Sequence, residues 1–120
     1  MDTSVEPITL EDVKKAAERI RPFVHRTPII TCQYFNNISG KSLYFKCENF
    51  QKIGAFKIRG ATNAVLNLVE KSKGRKPVIV THSSGNHAQA VAMAAKVNKL
   101  VAHVVMPSNS PDVKKSAVKG

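Results

Sequence analysis

One lysine in this sequence stands where its amine could do chemistry. Lys57 lies between Phe56 and Ile58, follows a loop that contains Gly54, and comes near the start of an apolar pattern with helical spacing. An ammonium among apolar groups loses hydration, which favours the neutral amine, and a neutral lysine amine can form a Schiff base with a carbonyl. Arg59, two residues later, adds like-charge repulsion that acts in the same direction. The alternative is an ordinary surface lysine whose methylene groups cover a helix start.

A second segment, residues 81–90, carries short polar side chains and has the sequence T-H-S-S-G-N-H-A-Q-A. It follows the β-branched run 78–80 and precedes an alanine-rich helical pattern, so we predict a strand-to-helix turn. Turns of this kind present backbone N–H groups and hydroxyls to anions. The segment therefore predicts an anion-binding turn.

The elements predicted to position these segments alternate between helices and strands. We expect helices over about 10–21, 32–38, 56–70, 86–97 and 111–118, and strands over about 29–31, 43–48, 78–81 and 101–106. Thr9 is predicted to cap the first helix and Ser110 the last. From Val78 onward the order strand, helix, strand, helix predicts a βαβα unit with parallel strands, so the fold class is α/β.

Composition narrows the possible function classes. The chain has 120 residues, of which 42% are hydrophobic, and its sequence has no apolar run near the ~20 residues that a membrane-spanning helix needs. Its N-terminus is acidic with no apolar segment behind it, so we expect a cytoplasmic protein. Cys32 and Cys47 are isolated in the sequence, which argues against a disulfide framework or a zinc site.

The formal charge of +11 raises nucleic-acid binding as an alternative. The basic residues are dispersed, with one cluster within 71–76 and another within 114–119, where a solvated loop and a solvated helix face are predicted. Aromatic residues that could stack on bases are not interleaved with these clusters. We therefore expect no nucleic-acid partner.

Together the two segments resemble the serine racemase and serine/threonine dehydratase family of pyridoxal-phosphate enzymes. The resemblance rests on F-K-I-R-G at residues 56–60 and S-S-G-N-H at residues 83–87, and it extends from Thr27-Pro28 to Met106-Pro107. It implies the N-terminal portion of a two-domain, fold-type II enzyme similar to the tryptophan synthase β subunit. Residues 1–77 would belong to the large cofactor domain, and residues 78–120 would begin the smaller α/β domain.

The resemblance also implies roles for individual residues. A lysine at the position of Lys57 carries pyridoxal phosphate as a Schiff base and takes the proton from the substrate's Cα. Phe56 would pack near the cofactor ring, and Asn86 would hydrogen-bond the 3′-oxygen of that ring. Ser83, Asn86 and His87 match the loop that binds the amino acid's α-carboxylate, and a helix N-terminus gives this assignment physical sense.

Ser84 separates two activities within this family. Threonine dehydratases commonly have alanine at this position, whereas serine racemases and some 3-hydroxyaspartate dehydratases and aspartate racemases have serine. A hydroxyl on the side opposite Lys57 can return a proton to Cα, which predicts a racemase of L-serine and D-serine that also dehydrates serine and L-threonine. The alternative activity is threonine or 3-hydroxyaspartate dehydratase, and the alternative role for Ser84 is a serine that only caps the following helix.

Effectors follow from the same resemblance. Serine racemases of this family are activated by a nucleotide and a divalent cation, and Lys52 and Gln89 match positions that contact the nucleotide at the dimer interface. ATP, a divalent cation and a homodimer are therefore implied, with no metal ligands predicted within this chain. Ile53 replaces a hydroxyl residue and Cys32-Gln33 replaces a serine pair, so the nucleotide site departs from the family pattern. Exposed surface is the alternative for Lys52.

Several parts of the family's site lie beyond Gly120. These are the glycine-rich phosphate loop, the residue that faces the pyridine nitrogen, and the metal-binding carboxylates. We therefore expect a truncated enzyme with incomplete cofactor anchoring. The alternative from another functional class is a non-catalytic fragment that pairs with a full-length partner.

Overall fold

The structure, a computed structural model, describes residues 6–119. The elements in this range are α1 (Leu10–Ile20), β1 (Ile29–Ile30), α2 (Gln33–Ser39), β2 (Phe45–Lys46), α3 (Lys57–Lys71), β3 (Ile79–His82), α4 (Asn86–Val97), β4 (Ala102–Val105) and α5 (Asp112–Lys119). Two short 3₁₀ helices, Glu48–Phe50 and Lys52–Gly54, connect β2 to α3. The predicted order of helices and strands is confirmed. Within the described range, none of the helices is long and apolar enough to cross a lipid bilayer.

The first helix begins as its sequence predicts. The Asp12 backbone N–H donates to Thr9 Oγ1 at 3.2 Å, and the Thr9 backbone N–H donates to Asp12 Oδ2 at 2.9 Å. These reciprocal bonds form a capping box, which satisfies N–H groups that an α-helix leaves unpaired at its start. The predicted Thr9 cap is confirmed.

The antiparallel pair β1–β2 is much shorter than predicted. Ile29 lies opposite Lys46 and Ile30 opposite Phe45. The prediction of a strand over about 43–48 is wrong in length, because β2 covers only Phe45 and Lys46. The Leu43 backbone N–H instead donates to Asn36 Oδ1 at 2.8 Å, which ties this segment to α2 rather than to a strand.

The pair β3–β4 is parallel, with Ile79 opposite Ala102 and His82 opposite Val105. The connection runs through α4, and α5 follows β4. Parallel neighbours need such a crossover, usually a helix. The predicted βαβα unit with parallel strands is confirmed.

The hydrophobic core lies between α3 and α4. It consists of residues that are no more than 5% exposed, namely Ile58, Ala61, Val65, Ala90, Val91 and Ala94. Half-buried Ile53 and Ile79 pack against them. The core therefore joins the helix that begins with Lys57 to the helix that follows the S-S-G-N-H turn.

The predicted cap of the last helix is wrong. Ser110 is buried, yet its Oγ has no hydrogen-bond partner among residues 6–119. Its backbone N–H donates to the Pro107 carbonyl at 3.0 Å, so Ser110 belongs to the turn that follows β4. The helix itself begins at Asp112, two residues later.

Candidate functional site

Lys57 is the first residue of α3 and lies on the surface. Its side chain is exposed, and Nζ lies 5.1 Å from the centroid of the Phe56 ring. The sequence prediction that the amine is enclosed by apolar groups is therefore wrong. Nζ forms no hydrogen bond or ion pair with another of the described residues, so the amine at the N-terminal end of α3 is free.

The loop before Lys57 turns sharply at two consecutive residues. Ile53 has φ 61° and Gly54 has φ 66°, both in the left-handed region. Glycine adopts this conformation readily, whereas a β-branched side chain is strained there. Ile53 packs against the core cluster, and the Gly54 N–H donates to the Gln51 carbonyl at 2.8 Å. Packing and hydrogen bonding thus hold the strained turn that leads to Lys57.

A charged cluster joins this loop to α3. Arg59 Nε and Nη2 donate to the two oxygens of Glu48 at 2.8 and 2.7 Å, and Thr27 Oγ1 donates to Glu48 Oε1 at 2.6 Å. Hydrogen bonding from Arg59, followed by that from Thr27, lowers the pKa of Glu48 to about 2 against the opposing effect of burial. The same pair raises the pKa of Arg59. The charge of Arg59 is thus paired with Glu48, which offsets the like-charge effect predicted on Lys57.

Gln51 holds the other side of the loop. It is 3% exposed, and its amide exchanges two hydrogen bonds with the His25 backbone, from His25 N to Oε1 and from Nε2 to His25 O, both at 2.8 Å. Arg59 Nη2 also donates to the His25 carbonyl, at 3.3 Å. Gln51 and Glu48 therefore fix the approach to Lys57 through one shared segment, residues 25–27, which precedes β1.

Sequence reasoning missed this network. Thr27, Glu48 and Gln51 were not candidate site residues, because nothing in the helical or strand periodicity distinguishes them. A carboxylate and a guanidinium on either side of the lysine loop are the one signal that could have found the pair.

The S-S-G-N-H turn lies at the carboxyl end of β3. The Ser83 N–H donates to the Val105 carbonyl at 3.1 Å, and Ser83 Oγ accepts from the Gly85 N–H at 3.1 Å. Gly85 occupies the N-cap position of α4, and no side chain in the described part of the chain caps that helix. The alternative role of Ser84 as a helix cap is therefore wrong. The first N–H groups of α4 therefore have no side-chain acceptor among residues 6–119, and the predicted anion-binding turn stays a prediction.

His87 connects two neighbouring cavities. One, of about 460 Å³, is lined by Phe56, Lys57 and His87 together with apolar residues of α3 and β3. The other, of about 620 Å³, is lined by Ser83, Ser84 and His87 and by the residues that follow β4. The predicted lysine and the predicted turn therefore face adjoining space, with His87 at the junction.

The remaining predicted site residues lie apart from these cavities. Asn86 is exposed at the start of α4 and lines neither of them. Gln89 and Ile53 line a third hollow, which Lys52 does not line. Across residues 6–119, no group of three His, Cys, Asp or Glu side chains is placed to hold a metal ion.

Matches to known proteins include both the lysine segment and the S-S-G-N-H turn. The family model described as pyridoxal-phosphate dependent enzyme matches residues 20–120. Serine racemase of Dictyostelium discoideum is 50% identical over 115 residues, covering 94% of this chain and 34% of the relative. The β-hydroxyaspartate dehydratase of Paracoccus denitrificans is 50% identical over 113 residues, covering 92% of this chain and 35% of the relative.

A solved structure of serine racemase from Dictyostelium discoideum superposes with a TM-score of 0.87 at 48% identity, covering 94% of this chain and 36% of that one. The predicted fold class, a partial α/β domain of a fold-type II enzyme, is confirmed. The chain spans about a third of the length of the curated relatives it matches.

Proposed function

The chain belongs to the pyridoxal-phosphate dependent enzyme family. On that premise we propose that it acts as a serine racemase with serine and threonine dehydratase activity. The observation that carries the proposal is the shared boundary at His87. Lys57 lines the cavity on one side of that boundary, and Ser83 and Ser84 line the cavity on the other. A base and a proton donor on opposite sides of one ligand are what racemisation requires.

The residues around Lys57 fit the reactive end of the cofactor. A primary amine without a partner among the described residues can bond to an aldehyde carbon, and the Phe56 ring beside it can contact a flat heterocycle. Apolar side chains of Val65, Ile79 and Val91 line the same cavity. We propose that Lys57 holds the cofactor and that Phe56 and Asn86 contact its ring.

The turn fits the other end of an amino acid. The hydroxyl of Ser83, the N–H groups at the start of α4 and the ring of His87 can all donate to a carboxylate. We propose that Ser83, Asn86 and His87 bind the substrate's α-carboxylate. This contact would fix which face of Cα is presented to Lys57.

The proton movements then follow from the two sides of the site. Bound pyridoxal phosphate supplies the electron sink that makes the Cα proton of the amino acid acidic. The Lys57 amine takes that proton from one face, and the Ser84 hydroxyl delivers a proton to the opposite face, which inverts the configuration at Cα. When the β-hydroxyl leaves instead, the products are a 2-oxo acid and ammonia.

Cofactor attachment tests the assignment of Lys57. The protein is incubated with pyridoxal phosphate, reduced with borohydride and mapped by mass spectrometry. We expect one reduced adduct on Lys57, its loss in Lys57→Ala, and its retention in the control Lys52→Ala. Labelling scattered over the surface lysines, equal in all three proteins, would contradict the proposal.

Replacing Ser84 tests the proton donor. We expect Ser84→Ala to lower conversion of L-serine to D-serine by about 100-fold or more, the usual contribution of a general acid, while ammonia release persists. Ser116→Ala, on the exposed side of α5, is the matched control. Unchanged racemisation in Ser84→Ala, or an equal loss of both activities, would rule out this role.

Dehydration of 3-hydroxyaspartate is a second candidate function. It is favoured by the relative from Paracoccus denitrificans, which is as similar in sequence as the serine racemase. Ammonia release from 3-hydroxyaspartate, compared with that from L-serine, D-serine and L-threonine, separates the two candidates. A higher kcat/KM for 3-hydroxyaspartate would select the dehydratase.

Other features remain predictions within this proposal. They are ATP near Lys52 and Gln89, a divalent cation, a homodimer and a cytoplasmic location. The division between a large domain at residues 1–77 and a smaller one from residue 78 is likewise a prediction, and α3 and α4 share a core across it. Sedimentation with and without ATP and a divalent cation tests the assembly.

A further inference from the structure

One hydrogen bond crosses the turn between β3 and α4. Thr81 Oγ1 lies 3.1 Å from His87 Nε2. Thr81 is half-buried on β3, and His87 is exposed in the first turn of α4. The bond therefore joins an exposed ring to a half-buried residue of β3.

We propose that Thr81 is a positioning residue that sets the tautomer and orientation of His87. The inference rests on the proposed function, in which His87 contacts the substrate's α-carboxylate. The two ring nitrogens of histidine are distinct, and the bond made by one decides what the other can do. With Nε2 held by Thr81, Nδ1 is the nitrogen left for a ligand, since it has no partner among residues 6–119.

In this role Thr81 donates to His87. Its hydroxyl has no other hydrogen-bond partner in the described part of the chain, so it is available to donate to the unprotonated Nε2 of a neutral ring. A ring that accepts at Nε2 carries its hydrogen at Nδ1. When the ring is protonated both nitrogens donate, and Nδ1 still carries a hydrogen.

His87 can thus donate to an anion in both of its charge states. A neutral ring without Thr81 can place its hydrogen on Nε2, which leaves a lone pair at Nδ1 facing the carboxylate. The position of the ring makes this difference relevant, because His87 lines both the cavity with Lys57 and the cavity with Ser84. Thr81 would therefore favour carboxylate binding through the ring of His87.

Nitrogen NMR of the histidine rings tests the tautomer directly and needs no turnover. Spectra are recorded at about pH 9, where an ordinary imidazole is neutral. We expect the hydrogen of His87 at Nδ1 in the unmodified protein and in Thr81→Ser, which keeps the hydroxyl. In Thr81→Val, which keeps the shape of the strand residue, we expect the ring shifts to move toward the Nε2–H tautomer.

Kinetics add the consequence for the substrate. Thr81→Val should raise the KM for L-serine about tenfold, the size expected for one hydrogen bond to a charged group, with kcat changed less. Thr81→Ser should restore the original KM. Equal nitrogen chemical shifts of the His87 ring in Thr81→Val and in the unmodified protein would overturn the inference while leaving the proposed function intact. If the tautomer of His87 changes in Thr81→Val but the unmodified protein converts no amino acid, the proposed function is overturned and the effect of Thr81 on the ring still holds.

Discussion

The two halves of the candidate site are held in different ways. The segment before Lys57 is braced by side chains that reach across the sequence, from Thr27 to Glu48 over 21 residues and from His25 to Gln51 over 26. The turn after β3 is held by short-range bonds, such as that between Ser83 and Gly85, and by the strand contact of Ser83 with Val105. One region depends on a polar network, and the other depends on regular secondary structure.

This difference separates the sensitivities of the two regions. A charged network responds to protonation and to loss of a single partner, because a part-buried charge is then left unpaired. A backbone-held turn responds mainly to changes in the strands beside it. The position of the Lys57 amine and the position of the turn after β3 can therefore be perturbed one at a time.

The largest effect is expected from removing the carboxylate of the network. Glu48→Ala leaves Arg59 and Thr27 without their acceptor and should lower the free energy of unfolding by about 2 kcal/mol, measured by urea denaturation. Hydrogen exchange should accelerate at Gly54 but not at Ser83. Glu70→Ala is the control, since Glu70 pairs with Arg19 at 3.3 Å on the surface and its loss should cost less than about 1 kcal/mol. Equal losses in the two variants would show that the network adds no special stability.

Acid should produce a graded effect, spread over more than two pH units. The pKa of Glu48 is lowered in the folded protein from 4.5 to about 2, so the unfolded state takes up this proton first as the pH falls. The stabilisation is present above about pH 4.5 and is lost as the pH falls toward 2, with a slope of no more than about 1.4 kcal/mol per pH unit for one proton.

Denaturation curves from pH 5 to about 2 measure this slope. Glu48→Gln should lower the slope of unfolding free energy against pH by the contribution of one proton, whereas Glu70→Gln should not. An unchanged slope in Glu48→Gln would show that other carboxyl groups carry the acid sensitivity.

The smallest effect is expected at the turn. Ser83→Ala removes the acceptor for the Gly85 N–H and should lower the free energy of unfolding by about 0.5–1 kcal/mol. Hydrogen exchange at Gly85 should accelerate, while exchange at Gly54 stays the same. Faster exchange at both positions would mean that the two halves of the site are coupled after all.

Local sequence patterns predicted most of the fold. The observed α4 spans residues 86–97, as its alanine-rich pattern predicts, and the capping residue Thr9 was identified from its neighbours. Such features depend on interactions within a few residues, which a single sequence displays. The short β2 was overestimated because alternation in a sequence does not reveal whether a partner strand is present beside it.

The candidate site was predicted in outline only. Lys57 and the S-S-G-N-H turn are visible as motifs, and the structure brings them to adjoining cavities. The pairing of Arg59 with Glu48 and the burial of Gln51 were not predictable, because they depend on which polar groups meet after the chain has folded. For the same reason Lys57 was expected among apolar groups and is exposed instead.

The alanines between α3 and α4 also limit how this protein can change. Ala61, Ala90 and Ala94 are buried in the core that separates the helix of Lys57 from the helix of His87. Methyl groups let two helices approach closely, so any larger side chain at these positions widens the gap between Lys57 and the turn after β3. Under the proposed function a displacement of about 1 Å would cost the reaction about 100-fold, so the choice of residue at these three positions would be limited by catalysis as well as by packing.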